Sequence, residues 1–190
     1  MSPANPLIIQ SDLTILVEVD SPRYEEARIC LGRFAELVKM PEHIHTYRLT
    51  ALSVWNANAS GFGVEELVAS LESLAKYPLP SAVAPLLRET ASRFGAVRLV
   101  RTGGEERLRL MVLRPGLADE FARLPDVARH LGARSANGDE FEVDPAWRGP
   151  LKRALVKHGW PVQDLAAKSC LLPNHACQIL FAPNFVCFPR

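Results

Sequence analysis

The sequence predicts an α+β protein: a helix-rich N-terminal unit with short strands, followed by a small β-β-α-β-α unit. Three observations carry this. Apolar residues recur at helical spacing through most of 51–94. Two strand-like runs, AVRLVR (96–101) and RLRLMVLR (107–114), flank Gly103-Gly104, a hairpin signal. The composition, 48% hydrophobic and 23% charged over 190 residues, suits a chain with a packed core. The expected partition is 1–94, 95–167 and a divergent tail, 168–190. Fifteen prolines and eleven glycines favour many short elements.

Element by element, LIIQ (7–10) and TILVEV (14–19) are expected as strands, the second with Val17 and Val19 alternating with Glu18. Asp20-Ser21-Pro22 is a helix start, a capping residue and then proline. The helix is expected to run to about Val38, with Ala27, Leu31, Phe34 and Leu37–Val38 inward. Thr46–Leu49 follows as a strand. Thr50 can cap a helix that Gly61 and Gly63 end. Val64, Leu67, Val68, Leu71, Leu74 and Ala75 give the best helical period in the chain. After PLPS (78–81), Ser81 can cap a helix carrying Val83, Leu86, Leu87, Thr90, Ala91 and Phe94. Gly95 marks the change to the hairpin, which Pro115-Gly116 ends. Leu117–Leu124 and Asp126–Leu131 are short helices split by Pro125. NGDEFEV (137–143) is a turn and a strand. Asp144-Pro145 opens a helix with Leu151, Ala154, Leu155 and His158 on one stripe and Gly159 as its C-terminal cap.

Charge is unevenly spread. Residues 1–90 carry 7 Lys/Arg and 11 Asp/Glu, and residues 91–190 carry 15 and 10. Any contact with a polyanion therefore falls in the back half. No run of eighteen apolar residues occurs, and the N-terminus has no basic segment before its apolar run, so a cytoplasmic protein without membrane contact is expected. The sequence has no G-x-x-x-x-G-K-[ST] loop, and no glycine in it precedes a lysine. A lysine-bearing phosphate cradle is therefore not encoded, and neither G-x-S-x-G nor H-E-x-x-H occurs.

His43 and His45, two apart on a strand, would face the same side, but Glu42 is the only nearby oxygen ligand. A metal centre needs three or four donors in fixed geometry. The pair is read as polar or half-buried histidines at a strand entry. Cys170, His175, Cys177 and Cys187 match no common zinc spacing. No metal, cofactor or catalytic residue is expected.

The arginines are the better lead. Arg107 and Arg109 alternate with Leu108 and Leu110, so they share the exposed face of a strand. With Arg98 and Arg101 on the preceding strand, and Arg148, Lys152, Arg153 and Lys157 off the apolar stripe of the last helix, they form the candidate DNA-contacting set. Such residues would meet phosphates rather than bases. No aromatic residues interleave with them, so stacking on single strands is not expected. The alternative is an ordinary solvated face.

Several blocks take the argument further: NPLIIQSDLTILVEVD (5–20), PEHIHTYRLTALSVWNANASG (41–61), SLAKYPLP (73–80), SRFGAVRLV (92–100) and FEVDPAWRGPLKRALVKHGWPVQDLA (141–166). In this order they closely resemble the N-terminal, non-motor region of bacterial XPB-type DNA repair helicases, over about 5–167. The second half resembles the part often called the damage-recognition-like domain. In that family ATP hydrolysis and translocation belong to two RecA-like motor domains, and this region helps engage duplex DNA and docks partner proteins. The resemblance thus implies DNA, motor domains or a repair protein as partners, and no enzymatic activity in this chain alone. The histidines at 43 and 45 become structural. The rival reading is a protein-interaction module without DNA affinity, offering the helices at 51–60 and 64–77. The tail does not resemble the family, which suggests a truncated or frameshifted gene or an unusual stand-alone version.

Overall fold

A computed structural model of the chain describes residues 4–102 and 107–166. The Gly103-Gly104 turn and the tail, with Cys170, His175, Cys177 and Cys187, lie outside the described residues.

The front half is a four-stranded antiparallel sheet with four helices. Its strands are β1 (Leu7–Ile9), β2 (Thr14–Glu18), β3 (Glu36–Lys39) and β4 (Ile44–Arg48), in the order β1-β2-β4-β3. Ile15 pairs with Tyr47 and Val17 with His45, and these residues face the core. Helices α1 (Tyr24–Leu31), α2 (Ala51–Ala59), α3 (Val64–Leu74) and α4 (Val83–Ser92) supply Ala27, Leu31, Val54, Leu67, Leu71 and Leu87 to that core. Thr50 caps α2 as expected. Its hydroxyl accepts from the Ser53 amide at 3.1 Å, and the Ser53 hydroxyl accepts from the Thr50 amide at 3.0 Å. The Trp55 indole donates to the Thr90 carbonyl at 2.7 Å and ties α2 to α4.

Three expectations change here. Helix α1 stops at Leu31, with Gly32 at its C-cap, instead of running to Val38. Leu37 and Val38 lie on β3 and are 48% and 53% exposed, so they are not core residues, while Ala27, Leu31 and Phe34 are. The proposed cap at Asp20-Ser21 starts a turn, and the helix begins two residues after Pro22. Ser21 Oγ accepts from the Arg23 amide and donates to the Ala4 carbonyl. At α4 the N-cap is Ala82 rather than Ser81, without a side-chain hydrogen bond.

The back half is a second sheet, β7-β6-β5-β8, covered on one face by helices. Strands β5 (Val97–Thr102) and β6 (Arg107–Val112) form the expected antiparallel hairpin arms, and β7 (Glu140–Val143) pairs antiparallel with β6. A strand that the sequence did not announce, β8 (Val162–Asp164), lies parallel to β5. Helices α5 (Leu117–Arg123), α6 (Pro125–Ala128) and α7 (Arg148–Lys157) bring Leu117, Phe121, Val127, Leu151 and Leu155 against Leu99 and Leu110. Asp144 accepts from the Ala146 amide at 2.8 Å and opens a short 3-10 turn before α7. Gly159 closes α7 with φ +80, a backbone that favours glycine. His158 is half-buried and bonds Asp126 instead of joining the apolar stripe.

Candidate nucleic-acid interface

Strand parity decides which arginines belong together. In the β5–β6 ladder Val97 faces Val112 and Leu99 faces Leu110, all buried. The alternate pairs, Arg98 with Met111, Val100 with Arg109 and Thr102 with Arg107, therefore project from the other face. In register on the flanking strands, Gln163 stands beside Arg98, and Glu142 and Glu140 stand beside Arg109 and Met111. These positions are exposed or half-buried. Arg98, Arg107 and Arg109 thus form a row of three cations across the open face of the sheet. Arg109 Nη1 donates to Glu140 at 3.0 Å, which holds its guanidinium in place with both side chains still partly in water.

Arg101 does not join this row. It pairs with Leu108, on the core side near the strand end, and donates to the Ala166 carbonyl at 3.4 Å. Arg98 and Arg101 are three residues apart, and on a regular strand such a pair points to opposite faces.

Helix α7 packs on the covered face, so its cations lie across the sheet from Arg98, Arg107 and Arg109. Two of them are engaged by a buried acid. Asp164, on the core side of β8 and 4% exposed, accepts from Lys152 Nζ at 2.8 Å and Arg148 Nε at 2.9 Å. Its other oxygen accepts from the Ala166 amide at 3.2 Å. Burial raises the Asp164 carboxyl, but the hydrogen bonds and charges of Lys152, then Arg148, outweigh it and leave the group below the usual carboxylate range. Arg153 and Lys157 are exposed on α7. Lys157 lies 3.4 Å from Asp126, whose carboxyl is held low first by its bond to His158. The eight expected cations are thus split: three across the open face, four on α7, and Arg101 at the sheet end.

One cluster escaped the sequence. Arg93, at the C-cap of α4, and Arg114 each place their guanidinium carbon 5.3 Å from the centroid of the Trp160 ring, which also meets Phe121 edge to face. Cation–π contact of this kind holds the junction between the two cores. Arg93 and Arg114 flank the β5–β6 hairpin in sequence, but only folding shows that they serve an aromatic ring.

The histidines of residues 41–45 have separate tasks. His45 is buried and its Nδ1 lies 2.9 Å from the Tyr24 hydroxyl, joining β4 to α1. His43 is exposed, 3.4 Å from Asp20. Among the described residues no group of three His, Cys, Asp or Glu side chains is placed to hold a metal ion. No helix among them is long and apolar enough to cross a membrane. The apolar residues of α2 and α3, offered as a docking surface, are instead consumed by the core: Val54, Trp55, Leu67, Val68, Leu71 and Leu74 are all buried.

Residues 7–136 match the family described as helicase conserved C-terminal domain. Over 161 residues, 85% of the chain, the sequence is 45% identical to the DNA 3'-5' helicase XPB of Kineococcus radiotolerans and 41% identical to that of Mycobacterium tuberculosis. It is 37% identical over 98 residues, 51% of the chain, to the general transcription and DNA repair factor IIH helicase/translocase subunit XPB of Schizosaccharomyces pombe, of which this covers 12%. The chain spans 28% and 29% of the two bacterial relatives.

Proposed function

The chain belongs to the helicase conserved C-terminal domain family, among its XPB-type helicases, and from that premise we propose that it is a non-catalytic N-terminal region that helps a helicase engage duplex DNA and dock its partners. The observation that supports DNA contact is the row Arg98, Arg107 and Arg109 on one open sheet face. Arg98 and Arg109 are diagonal neighbours on adjacent antiparallel strands, about 7–8 Å apart, so the row offers positive charge along a line that a phosphate backbone can follow. Contacts of this kind carry affinity and salt dependence without base specificity. The two sheets with their separate apolar cores would be two domains, 1–94 and 95–167. Because the sequence holds no phosphate loop, the chain is not expected to hydrolyse ATP by itself.

Of the eight expected cations, Arg98, Arg107 and Arg109 are the primary DNA contacts in this reading, with Arg153 and Lys157 a second, weaker patch. Arg148 and Lys152 are reassigned to structure, because Asp164 already engages both of them. A fluorescence-anisotropy titration of a labelled duplex tests the reading. Binding that weakens steeply with salt supports it, and absence of binding at low salt leaves the interaction-module reading.

A further inference from the structure

Among the described residues of the front half seven large apolar side chains are exposed, and four of them lie on one hairpin: Leu37 (48%), Val38 (53%), Met40 (65%) and Ile44 (43%). Leu37 and Val38 belong to β3, the terminal strand of its sheet, Met40 follows it directly and Ile44 opens β4. All four β3 residues are exposed, and among the described residues no strand pairs with its outer edge. An uncovered edge presents backbone donors and acceptors to any strand that can align with it.

What aligns with it is set by the charges. The β3–β4 register slips between Leu37 and Lys39, leaving Val38 as a bulged extra residue. Glu36 lies opposite Arg48 and Lys39 opposite Thr46, and Arg48 and Thr46, two apart on β4, share one face. Glu36 and Lys39 therefore share that face too. Three apart on a regular strand they would point to opposite faces; the bulge brings them to the same one. We propose that a second copy of this chain docks antiparallel along β3, so that Glu36 of each copy meets Lys39 of the other and Leu37 and Val38 are covered between them.

A two-fold axis perpendicular to the sheet preserves faces, so both ion pairs form together, and the interface is self-complementary. The joined sheets become one eight-stranded sheet. Four residues per copy bury little area, so association is weak and concentration-dependent. Glu36 Oε1 also accepts from the Thr50 hydroxyl at 2.6 Å, which fixes one of its oxygens and leaves the other for the second copy.

Sedimentation velocity on the full chain over about a hundredfold range of concentration tests this by mass action. Wild type is expected to shift from monomer to dimer. Glu36→Lys and Lys39→Glu, each setting like charges against each other, are expected to stay monomeric with unchanged circular dichroism. Lys39→Glu leaves the Thr50 contact intact, so its effect is read without disturbing the cap of α2. The double variant Glu36→Lys/Lys39→Glu restores opposite charges and is expected to dimerise again. A wild type that stays monomeric overturns the proposal, as do single variants that dimerise like wild type or a folded double variant that does not recover. Should the double variant fail to fold, Lys39→Glu decides: monomer upholds the proposal and dimer overturns it.

Discussion

Asp164 Oδ2 lies 2.8 Å from Lys152 Nζ, and the same oxygen takes Arg148 Nε at 2.9 Å. One buried carboxylate on β8 thereby draws two cations of α7 onto the sheet and out of the pool available to an external anion. Replacing Asp164 by Asn removes the one negative charge that both cations share. The expected loss is about 2–4 kcal/mol, at the lower side of the range for breaking a buried pair because Arg148 can turn to water. Urea unfolding of Asp164→Asn against wild type checks it. An unchanged midpoint would show that the pair contributes nothing.

The same carboxylate sets an acid limit. Its folded-state pKa is lowered, so between the folded and unfolded values the unfolded chain binds more protons, and stability rises with pH there. This contribution is full above the unfolded value of about 3.9 and is lost as pH falls through the lower, folded value. Asp126, held low first by its bond to His158, acts in the same direction. Unfolding midpoints of wild type are expected to drop below about pH 4, with a shallower drop in Asp164→Asn.

Leu71 and Leu110 are each fully buried, one in each apolar core. Truncation to Ala costs about 2–5 kcal/mol at such sites. If 1–94 and 95–167 are separate domains, Leu71→Ala lowers one calorimetric transition and Leu110→Ala the other. A single transition lowered equally by both would join the cores into one cooperative unit.

Thr50 caps α2 and donates to Glu36, which stands on the neighbouring strand. Thr50→Ala is expected to cost about 1–2 kcal/mol, the upper part of the range for a lost cap, measured by thermal unfolding. Thr50→Ser keeps both contacts and is expected to lie close to wild type.

Much of this architecture was legible where local signals agreed. Helices α2 and α3 carry a capping threonine or a clean apolar period, and the β5–β6 arms alternate so regularly that the spacing alone puts Arg107 and Arg109 on the face away from the core. The failures have identifiable causes. Leu37 and Val38 continued an apolar helical stripe past Gly32, and nothing local shows that a strand edge takes over there. Strand β8 has three residues, and its parallel pairing to β5 is a tertiary event. Asp164 lies twelve residues from Lys152, too far for a helical pairing rule, so the cations it engages could not be told from the rest of the set. Arg101 is a different case: its offset of three from Arg98 already implied the opposite face.

The claim that the open face of the second sheet meets phosphates is tested most directly by the salt dependence of duplex binding in wild type and in Arg98→Ala/Arg107→Ala/Arg109→Ala. Each lost phosphate contact lowers the slope of log affinity against log salt by about one. The slope is expected to be smaller by about two to three in the triple variant and unchanged in Lys152→Met. A triple variant that binds duplex with the wild-type affinity and slope would contradict it.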